Sequence, residues 1–321
     1  MRILVTGGTG FFGRSILRYW TQIENLNHPE AVSIISRNPQ KFITEYPEFS
    51  CIPWLSFHHG NILDPQTFPS NPKFTHILHA ATESTAGPQL SPLERYLEIT
   101  EGTQQVLKYA VKNNIQKLLL TSSGGIYGPQ PDDMEKILET YSGELSTLNA
   151  QNAYSMGKRT AEHLCALYRD RYGIDFVIAR CFAFVGYDLP MDAHFAIGNF
   201  IRDAFREESI TINGDGSPIR SYMDQLDLAI WLSKLLEYGE PGEVYNVGSD
   251  IPISIYDLAY LVRDSLAPSK SVHVQGNLKL NGQRNRYIPS IDKATNSLGL
   301  RLNISLAESL RKIGNSSFNK T

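Results

Sequence analysis

The first fourteen residues restrict this chain more than any others. Ile3-Leu4-Val5 is a short apolar run that reads as a buried strand. Thr6-Gly7-Gly8-Thr9-Gly10-Phe11-Phe12-Gly13 follows it and passes into a helical pattern. A strand, a glycine turn and a helix in that order open a dinucleotide-binding unit. Gly7 suits the tight turn, Gly10 lets the main chain approach a pyrophosphate, and Gly13 lets the helix pack close to the strand. Phe11 and Phe12 lie at the helix start, whose unpaired N–H groups and positive dipole end favour an anion. The spacing is G-x-x-G-x-x-G. Such a loop also occurs as a plain strand-to-helix turn, but its place behind the first strand favours the dinucleotide reading.

Behind the loop, apolar runs alternate with helical patterns. The spacing predicts a helix over Phe12 to Glu24, broken at Asn27-His28-Pro29, then a strand at Ala31 to Ser36 followed by a turn at Arg37-Asn38-Pro39, and strands at Ile52 to His58 and His76 to Ala81. Ser91-Pro92 is a helix start, with a capping hydroxyl and proline at the first helical position, and that helix runs to about Asn113. Lys117 to Ser123 is a fifth strand, Ala153 to Tyr172 a helix ended by Gly173, and Asp175 to Ala179 a sixth strand. Between them, Gly128 to Leu148 is long and polar enough to suggest a functional loop or lid. Strands alternating with helices over short links predict an α/β Rossmann fold with a doubly wound parallel sheet.

From Arg180 the pattern changes. A helix near Phe195 to Arg206, a strand Ile210 to Ile212 and the turn Asn213-Gly214-Asp215-Gly216-Ser217 lead to a helix over Asp224 to Leu236. A strand at Val244 to Gly248 and a helix capped by Ser254 follow, and the tail holds a polar loop, Gly276 to Arg286, and two short helical patterns. These describe a dinucleotide-binding domain over 1–180, rejoined by 224–250. A smaller discontinuous C-terminal lobe is built from 181–223 and 251–321.

Two strand ends bear on the cofactor. In such folds an acidic residue after the second strand binds the ribose 2′-hydroxyl and selects NAD. Here Ser36 and Arg37 stand at that place, a hydroxyl and a fixed cation suited to a 2′-phosphate, so NADP(H) is favoured while NAD(H) stays possible. Asn61 and Ile62 follow the third strand. The fourth ends in His79-Ala80-Ala81, where small side chains let a flat ligand lie close to the sheet. His79 reads either as a polar contact there or, more simply, as a packed histidine bonded to backbone.

The chemistry lies further on. Tyr154 and Lys158 stand four apart on a helix and share a face. An ammonium beside a phenol is expected to lower the tyrosine pKa and tune it for general acid/base work. Ser123, ending the fifth strand, can donate to the same substrate oxygen, and Lys158 can bond a nicotinamide ribose. Tyr154 and Lys158 thus count among the expected cofactor contacts, and Ser123 among the substrate contacts.

With these pieces in order, the chain resembles the extended short-chain dehydrogenase/reductase family, the nucleotide-sugar epimerases, dehydratases and reductases. The matching stretches are Thr6 to Gly13, His79-Ala80-Ala81, Ser122 to Gly128, Tyr154 to Lys158, Arg180 to Gly186, Gly214 to Arg220, and Tyr245-Asn246-Val247-Gly248. The resemblance implies a catalytic Ser123, Tyr154 and Lys158. It places Asn199-Phe200 near the base and diphosphate and Arg220 on a phosphate, with Arg284 and Arg286 as candidates for a second guanidinium. It also implies a homodimer through the helices Leu93 to Asn113 and Ala153 to Tyr172. The 4,6-dehydratases of that family carry an Asp-Glu pair directly after the catalytic hydroxyl residue; here Gly124-Gly125 occupies the place and can do no acid/base work. Many relatives also carry asparagine where this chain has Ala183.

These observations favour reduction of the C4 keto group of a nucleotide-bound 4-keto-6-deoxyhexose. The alternatives are a redox-neutral epimerase or dehydratase with bound NAD, and a non-catalytic NADP-binding sensor, against which the intact Ser-Tyr-Lys set argues. Composition excludes other classes. The 321 residues carry a net charge of −3 and no basic block, unlike a nucleic-acid binder. Cys51, Cys165 and Cys181 make neither a disulfide framework nor a metal site, which suggests a reducing cytoplasm. The expectation is of no signal peptide, because a core strand starts at once, and of no apolar run long enough to span a membrane.

Overall fold

The computed structural model describes residues 1–22, 28–82, 90–191, 195–276 and 285–318. The chain begins β1 (Arg2–Thr6), α1 (Phe11–Gln22), β2 (Ala31–Ser36), α2 (Pro39–Glu45), β3 (Leu55–His59) and β4 (His76–His79). Next come α3 (Pro92–Lys112), β5 (Lys117–Ser123), α4 (Ala153–Tyr172) and β6 (Phe176–Cys181). The remainder holds β7 (Phe184–Val185), α5 (Ala196–Arg206), β8 (Ser209–Ile212), β9 (Ile219–Arg220), β10 (Met223–Asp224), α6 (Gln225–Tyr238) and β11 (Val244–Val247). It closes with β12 (Ile253–Ser254), α7 (Ile255–Leu266), β13 (Ser271–Val274), β14 (Arg286–Tyr287), α8 (Asp292–Leu298) and α9 (Leu306–Phe318).

Seven strands form one sheet in the order β11-β6-β5-β4-β1-β2-β3. The pairings β1–β2, β2–β3, β1–β4, β4–β5 and β5–β6 are parallel. Because helices cover both faces, the strands read as continuous apolar runs rather than alternating ones, as in Leu118-Leu119-Leu120, all essentially buried. The chain winds out from β1 to β3 and then resumes at β4 on the other side of β1. Such a reversal leaves a crevice at the carboxyl ends of the strands, where ligands bind.

Contacts divide the chain into two units. The first comprises Met1–Ile126, Leu145–Cys181 and Ala229–Tyr245; the second, Tyr127–Glu144, Phe182–Leu228 and Asn246–Thr321. In the first, α3 packs along α4. Its start is a full capping box: Ser91 accepts from Glu94 N and Glu94 reaches back to Ser91 N, with Pro92 at the first helical position. Its buried face, Ile99, Gly102, Thr103, Val106, Leu107 and Ala110, recurs at three- and four-residue steps and joins the core with Ile62, Ile77 and Leu118.

The second unit has its own core, where Ile197, Phe200 and Ile201 of α5 meet Leu258 and Val262 of α7 and Leu310 of α9. Small sheets bind it: β12-β9-β14, β13-β8 and β10-β7.

Two expectations are corrected here. The turn expected at Arg37-Asn38-Pro39 is a helix start: Asn38 caps α2 by accepting from Lys41 N, and Pro39 opens the helix instead of breaking it. The long polar loop is no free lid over 128–144. Ile137 is fully buried, and its N–H donates to Ile288 O at 2.8 Å. Gln130 bonds Met134 O and Ile288 N, and Lys136 pairs with Asp250 at 2.7 Å. Main-chain pairing of this segment explains how so polar a stretch stays in place.

Candidate active site

The glycine loop is shaped by contacts that a side chain would destroy. Gly7 has φ +75°, and a Cβ there would lie 2.5 Å from the carbonyl carbon of Ala80, so β1 and the end of β4 meet without side chains between them. At Gly13 a Cβ would lie 2.1 Å from the Gly8 oxygen, so α1 can start this close to the loop only with glycine. Gly10 faces open space apart from the Gly7 oxygen at 3.4 Å. The first N–H groups of α1 have no intrahelical acceptor, and no acidic residue occupies its first turn. A backbone cradle with open space before it, at a helix N-terminus that carries no acidic residue, fits a pyrophosphate.

Around this loop the other expected cofactor residues fall into two kinds. Ala80 and Ala81 continue past β4 and donate to Thr6 O at 3.0 Å and Thr6 Oγ1 at 3.3 Å. Ser36 is half-buried at the end of β2 with its Oγ accepting from Asn38 N, and Arg37 is exposed beside it. Asn61 is exposed, while Ile62 is buried in the core against Gly102. Phe11 is buried and Phe12 half-buried.

His79 has no ring nitrogen to spare. Nδ1 lies 2.7 Å from Thr6 Oγ1 and Nε2 3.1 Å from Thr103 Oγ1, so the ring ties β4 to β1 and α3. The partners are side-chain hydroxyls rather than the backbone groups expected. Burial first, then the charge of Lys158, push its pKa down to about 3, so the ring is neutral.

Ser123, Tyr154 and Lys158 come together in the first unit. The Ser123 hydroxyl hydrogen-bonds the Tyr154 phenol, and Ser123 Oγ also accepts from Gly125 N at 3.0 Å. Lys158 is buried; Nζ donates to Thr82 Oγ1 at 2.7 Å and to Thr121 O at 2.8 Å. It stands 6.0 Å from the centre of the Tyr154 ring.

One electrostatic expectation is overturned. The Tyr154 pKa is raised on balance, not lowered. Burial pushes the phenol up to about 12, while the Ser123 hydrogen bond and the Arg95 charge pull the other way. Lys158 is itself pulled down to about 8, chiefly by burial. Both groups are desolvated, and the ammonium is spent on Thr82 and Thr121, not on the phenol oxygen.

The expected substrate residues lie in the second unit. Asn199, half-buried on α5, accepts from Arg202 Nη1 at 3.3 Å. Arg220 and Arg286 lie on the paired strands β9 and β14, with Arg286 opposite Ile219 and Tyr287 opposite Arg220. Nη1 of Arg220 donates to Ile219 O and Asn285 O at 2.9 and 2.8 Å, and Nη2 of Arg286 to Glu135 O at 3.3 Å. Arg284 lies outside the described residues.

The sequence reading did not assign Thr6, Thr82, Thr103 and Glu162. Thr82 gave no signal, being a loop hydroxyl 76 positions from the lysine it holds. Glu162 did: it continues the four-residue step of Tyr154 and Lys158.

A glycine cradle at the switch point of a doubly wound sheet, with a serine, a tyrosine and a lysine gathered beside it, defines a dinucleotide-binding protein of the short-chain dehydrogenase/reductase type. More narrowly, the chain belongs to the NAD dependent epimerase/dehydratase family, whose model matches residues 3–248. It is 27% identical over 329 residues to UDP-glucuronic acid decarboxylase 1 of Arabidopsis thaliana, covering 98% of this chain and 69% of that protein. The chain spans about two thirds of the length of three of the Arabidopsis decarboxylases it matches, 69%, 66% and 67%, and 87% of three others. Among solved structures, a UDP-glucose 4-epimerase of Thermotoga maritima with UDP-glucose shares the fold at TM-score 0.83 and 22% identity, covering 100% of this chain and 99% of that one. A dTDP-glucose 4,6-dehydratase of Streptomyces venezuelae with NAD bound does so at TM-score 0.83 and 24% identity, covering 99% and 97%. Among the described residues, no helix is long and apolar enough to cross a membrane.

Proposed function

We propose that the protein reduces the C4 carbonyl of a nucleotide-bound 4-keto-6-deoxyhexose. The observation that carries the direction is the end of β5. Gly124 and Gly125 stand where the family's dehydratases carry an acid pair, and a Cβ at Gly125 would meet Ser155 Oγ at 2.9 Å and Ser123 Oγ at 3.2 Å. The proton donor set against Ser123 is Tyr154, a phenol protonated at neutral pH that burial holds still further from ionising. That is the resting state a reduction needs.

A bound nicotinamide dinucleotide supplies the hydride. The chain's own residues do the rest. Gly7, Gly10, Phe11, Phe12 and Gly13 would hold the pyrophosphate through main-chain N–H groups. Ala80 and Ala81 leave room at the sheet, and Asn61 and Ile62 would border the adenine. His79 would support that surface through Thr6 and Thr103. Ser123 orients the carbonyl oxygen by donating to it, and Tyr154 gives that oxygen its proton as negative charge develops. Lys158, fixed on Thr82 and Thr121, would bond the nicotinamide ribose and keep a positive charge beside the reacting oxygen. Asn199, Arg220 and Arg286 (with Arg284 as the other candidate) would bind base and diphosphate, since guanidinium forks match phosphate oxygens.

Ser36 and Arg37, with no carboxylate beside them, support NADP(H) as the preferred cofactor. The relatives named for UDP-glucuronic acid and UDP-glucose support a nucleotide sugar as the substrate class. Exposed Leu93 and Leu97 on α3 and Leu167 and Tyr172 on α4 support a homodimer through those helices, and three free cysteines support a reducing cytoplasm as its setting.

A redox-neutral epimerase is the second reading, favoured by the 4-epimerase among the structural neighbours. Mass spectrometry of the purified native protein separates the two. Exchangeable cofactor, with NADPH outcompeting NADH, supports the reductase; tightly retained NAD overturns it in favour of the epimerase.

A further inference from the structure

Behind Ser123, Tyr154 and Lys158, three elements of the first unit meet at one carboxylate. Glu162 lies four residues beyond Lys158 and eight beyond Tyr154, so α4 carries all three on one face. From β6, Arg180 takes Glu162 with two nitrogens: Nη2 donates to Oε2 at 2.8 Å and Nε to Oε1 at 3.1 Å. From β5, Ser122 Oγ donates to Oε1 at 2.5 Å, and Ser122 is the neighbour of Ser123 in the chain. The ion pair is nearly dry, with the Arg180 and Glu162 side chains 13% and 11% exposed.

Such a pair contributes little net stability, because desolvation offsets most of its attraction. What a bidentate pair does supply is fixed geometry and a fixed local charge. We propose that Glu162 is a positioning residue for Lys158: tied to β5 through Ser122 and to β6 through Arg180, it keeps the Lys158 side chain charged and in place beside Tyr154.

The surroundings of Lys158 show why it needs this. Its hydrogen-bond partners, Thr82 Oγ1 and Thr121 O, are neutral. From β4 it faces His79, neutral because burial depresses its pKa, and from β6 it faces Cys181, a thiol that burial pushes up to about 12. Tyr154 on its own helix is protonated, and Arg95 on α3 acts on that phenol with a positive charge. The two carboxylates that act on Lys158 are Glu98 on α3 and Glu162 on α4. Burial pulls Lys158 down to about 8, where Cys181 is still a neutral thiol, so the charges that oppose burial are those of Glu162 and Glu98. Without Glu162, the Arg180 guanidinium would lose this carboxylate and add to the downward pull.

This rests on assigning Lys158 to the site, and the test reads Lys158 directly, without substrate or cofactor. A failure to find turnover would therefore leave it unaffected. The full chain is labelled with ¹³Cε-lysine, the Lys158 resonance is identified by its loss in Lys158→Met, and its titration is followed by NMR. Wild type is expected to titrate near 8. Glu162→Gln should lower the midpoint by about one unit or more, and Arg180→Gln should raise it. The double variant Glu162→Gln/Arg180→Gln should return it toward wild type, although it removes more of the packing. If Glu162→Gln does not fold, Arg180→Gln and the double variant carry the test. Midpoints that stay at the wild-type value in the folded variants overturn the proposal, as does a double variant displaced further than either single one.

Discussion

His79→Gln is the perturbation whose effect follows most directly from the structure. The glutamine amide can still reach the hydroxyls of Thr6 and Thr103 but cannot titrate. Unfolded, a histidine takes its proton near 6.5, whereas in the folded chain burial and the Lys158 charge hold His79 down to about 3. The folded-state pKa is depressed, so the unfolded state binds the extra proton between those values. Stability from the neutral ring is thus complete above the unfolded value and is lost as pH falls. Between pH 7 and pH 5 the unfolded imidazole goes from about one quarter to almost fully protonated, and the buried one gains almost no proton. At about 1.4 kcal/mol per unit this removes about 2 kcal/mol. The assay is urea unfolding followed by tryptophan fluorescence, since Trp20, Trp54 and Trp231 all lie in the first unit with His79. His76, pulled down to about 4 chiefly by burial, is present in both proteins and cancels in the comparison. Wild type should lose about 2 kcal/mol more than the variant between the two pH values, whatever the variant's offset at pH 7. Equal losses would refute the buried neutral ring and its place in the Thr6–His79–Thr103 chain.

Other outcomes follow from the same geometry. Gly7→Ala puts a methyl 2.5 Å from the Ala80 carbonyl carbon at a positive φ. It should cost about 1–3 kcal/mol and abolish dinucleotide binding in calorimetric titration. Arg37→Ser should weaken NADPH about tenfold, about 1.4 kcal/mol, and leave NADH unchanged, as read by nicotinamide fluorescence. Ser91→Ala removes the α3 capping box and should cost about 1 kcal/mol in denaturation with turnover unchanged.

Some of this was readable in the residues themselves. The bounds of β2, β5 and α4 match the apolar runs and end signals closely, because these segments pair a clean period with a polar or glycine end: Arg37-Asn38, the hydroxyls of Ser122-Ser123, and Gly173. α2 was missed because Pro39 reads equally as a breaker and as a first helical residue; only the Asn38 cap, seen in the structure, separates the two. In the site, Ser123, Tyr154 and Lys158 were visible from a strand end and a four-residue step. Their electrostatics were not. Spacing shows that Lys158 and Tyr154 share a face, but how far each is desolvated, and that Thr82 and Thr121 engage the ammonium, depends on segments distant in the chain. The same holds for His79, whose partners lie on β1 and α3.

The central claim is tested most directly by supplying the native protein with a nucleotide-bound 4-keto-6-deoxyhexose and NADPH and following nicotinamide absorbance alongside product. Net reduction predicts one NADPH oxidised per sugar converted, with Tyr154→Phe lowering kcat by roughly 10²- to 10⁴-fold through loss of the proton donor. Product formed with no net NADPH consumption, or a Tyr154→Phe variant that turns over near the wild-type rate, would contradict the account.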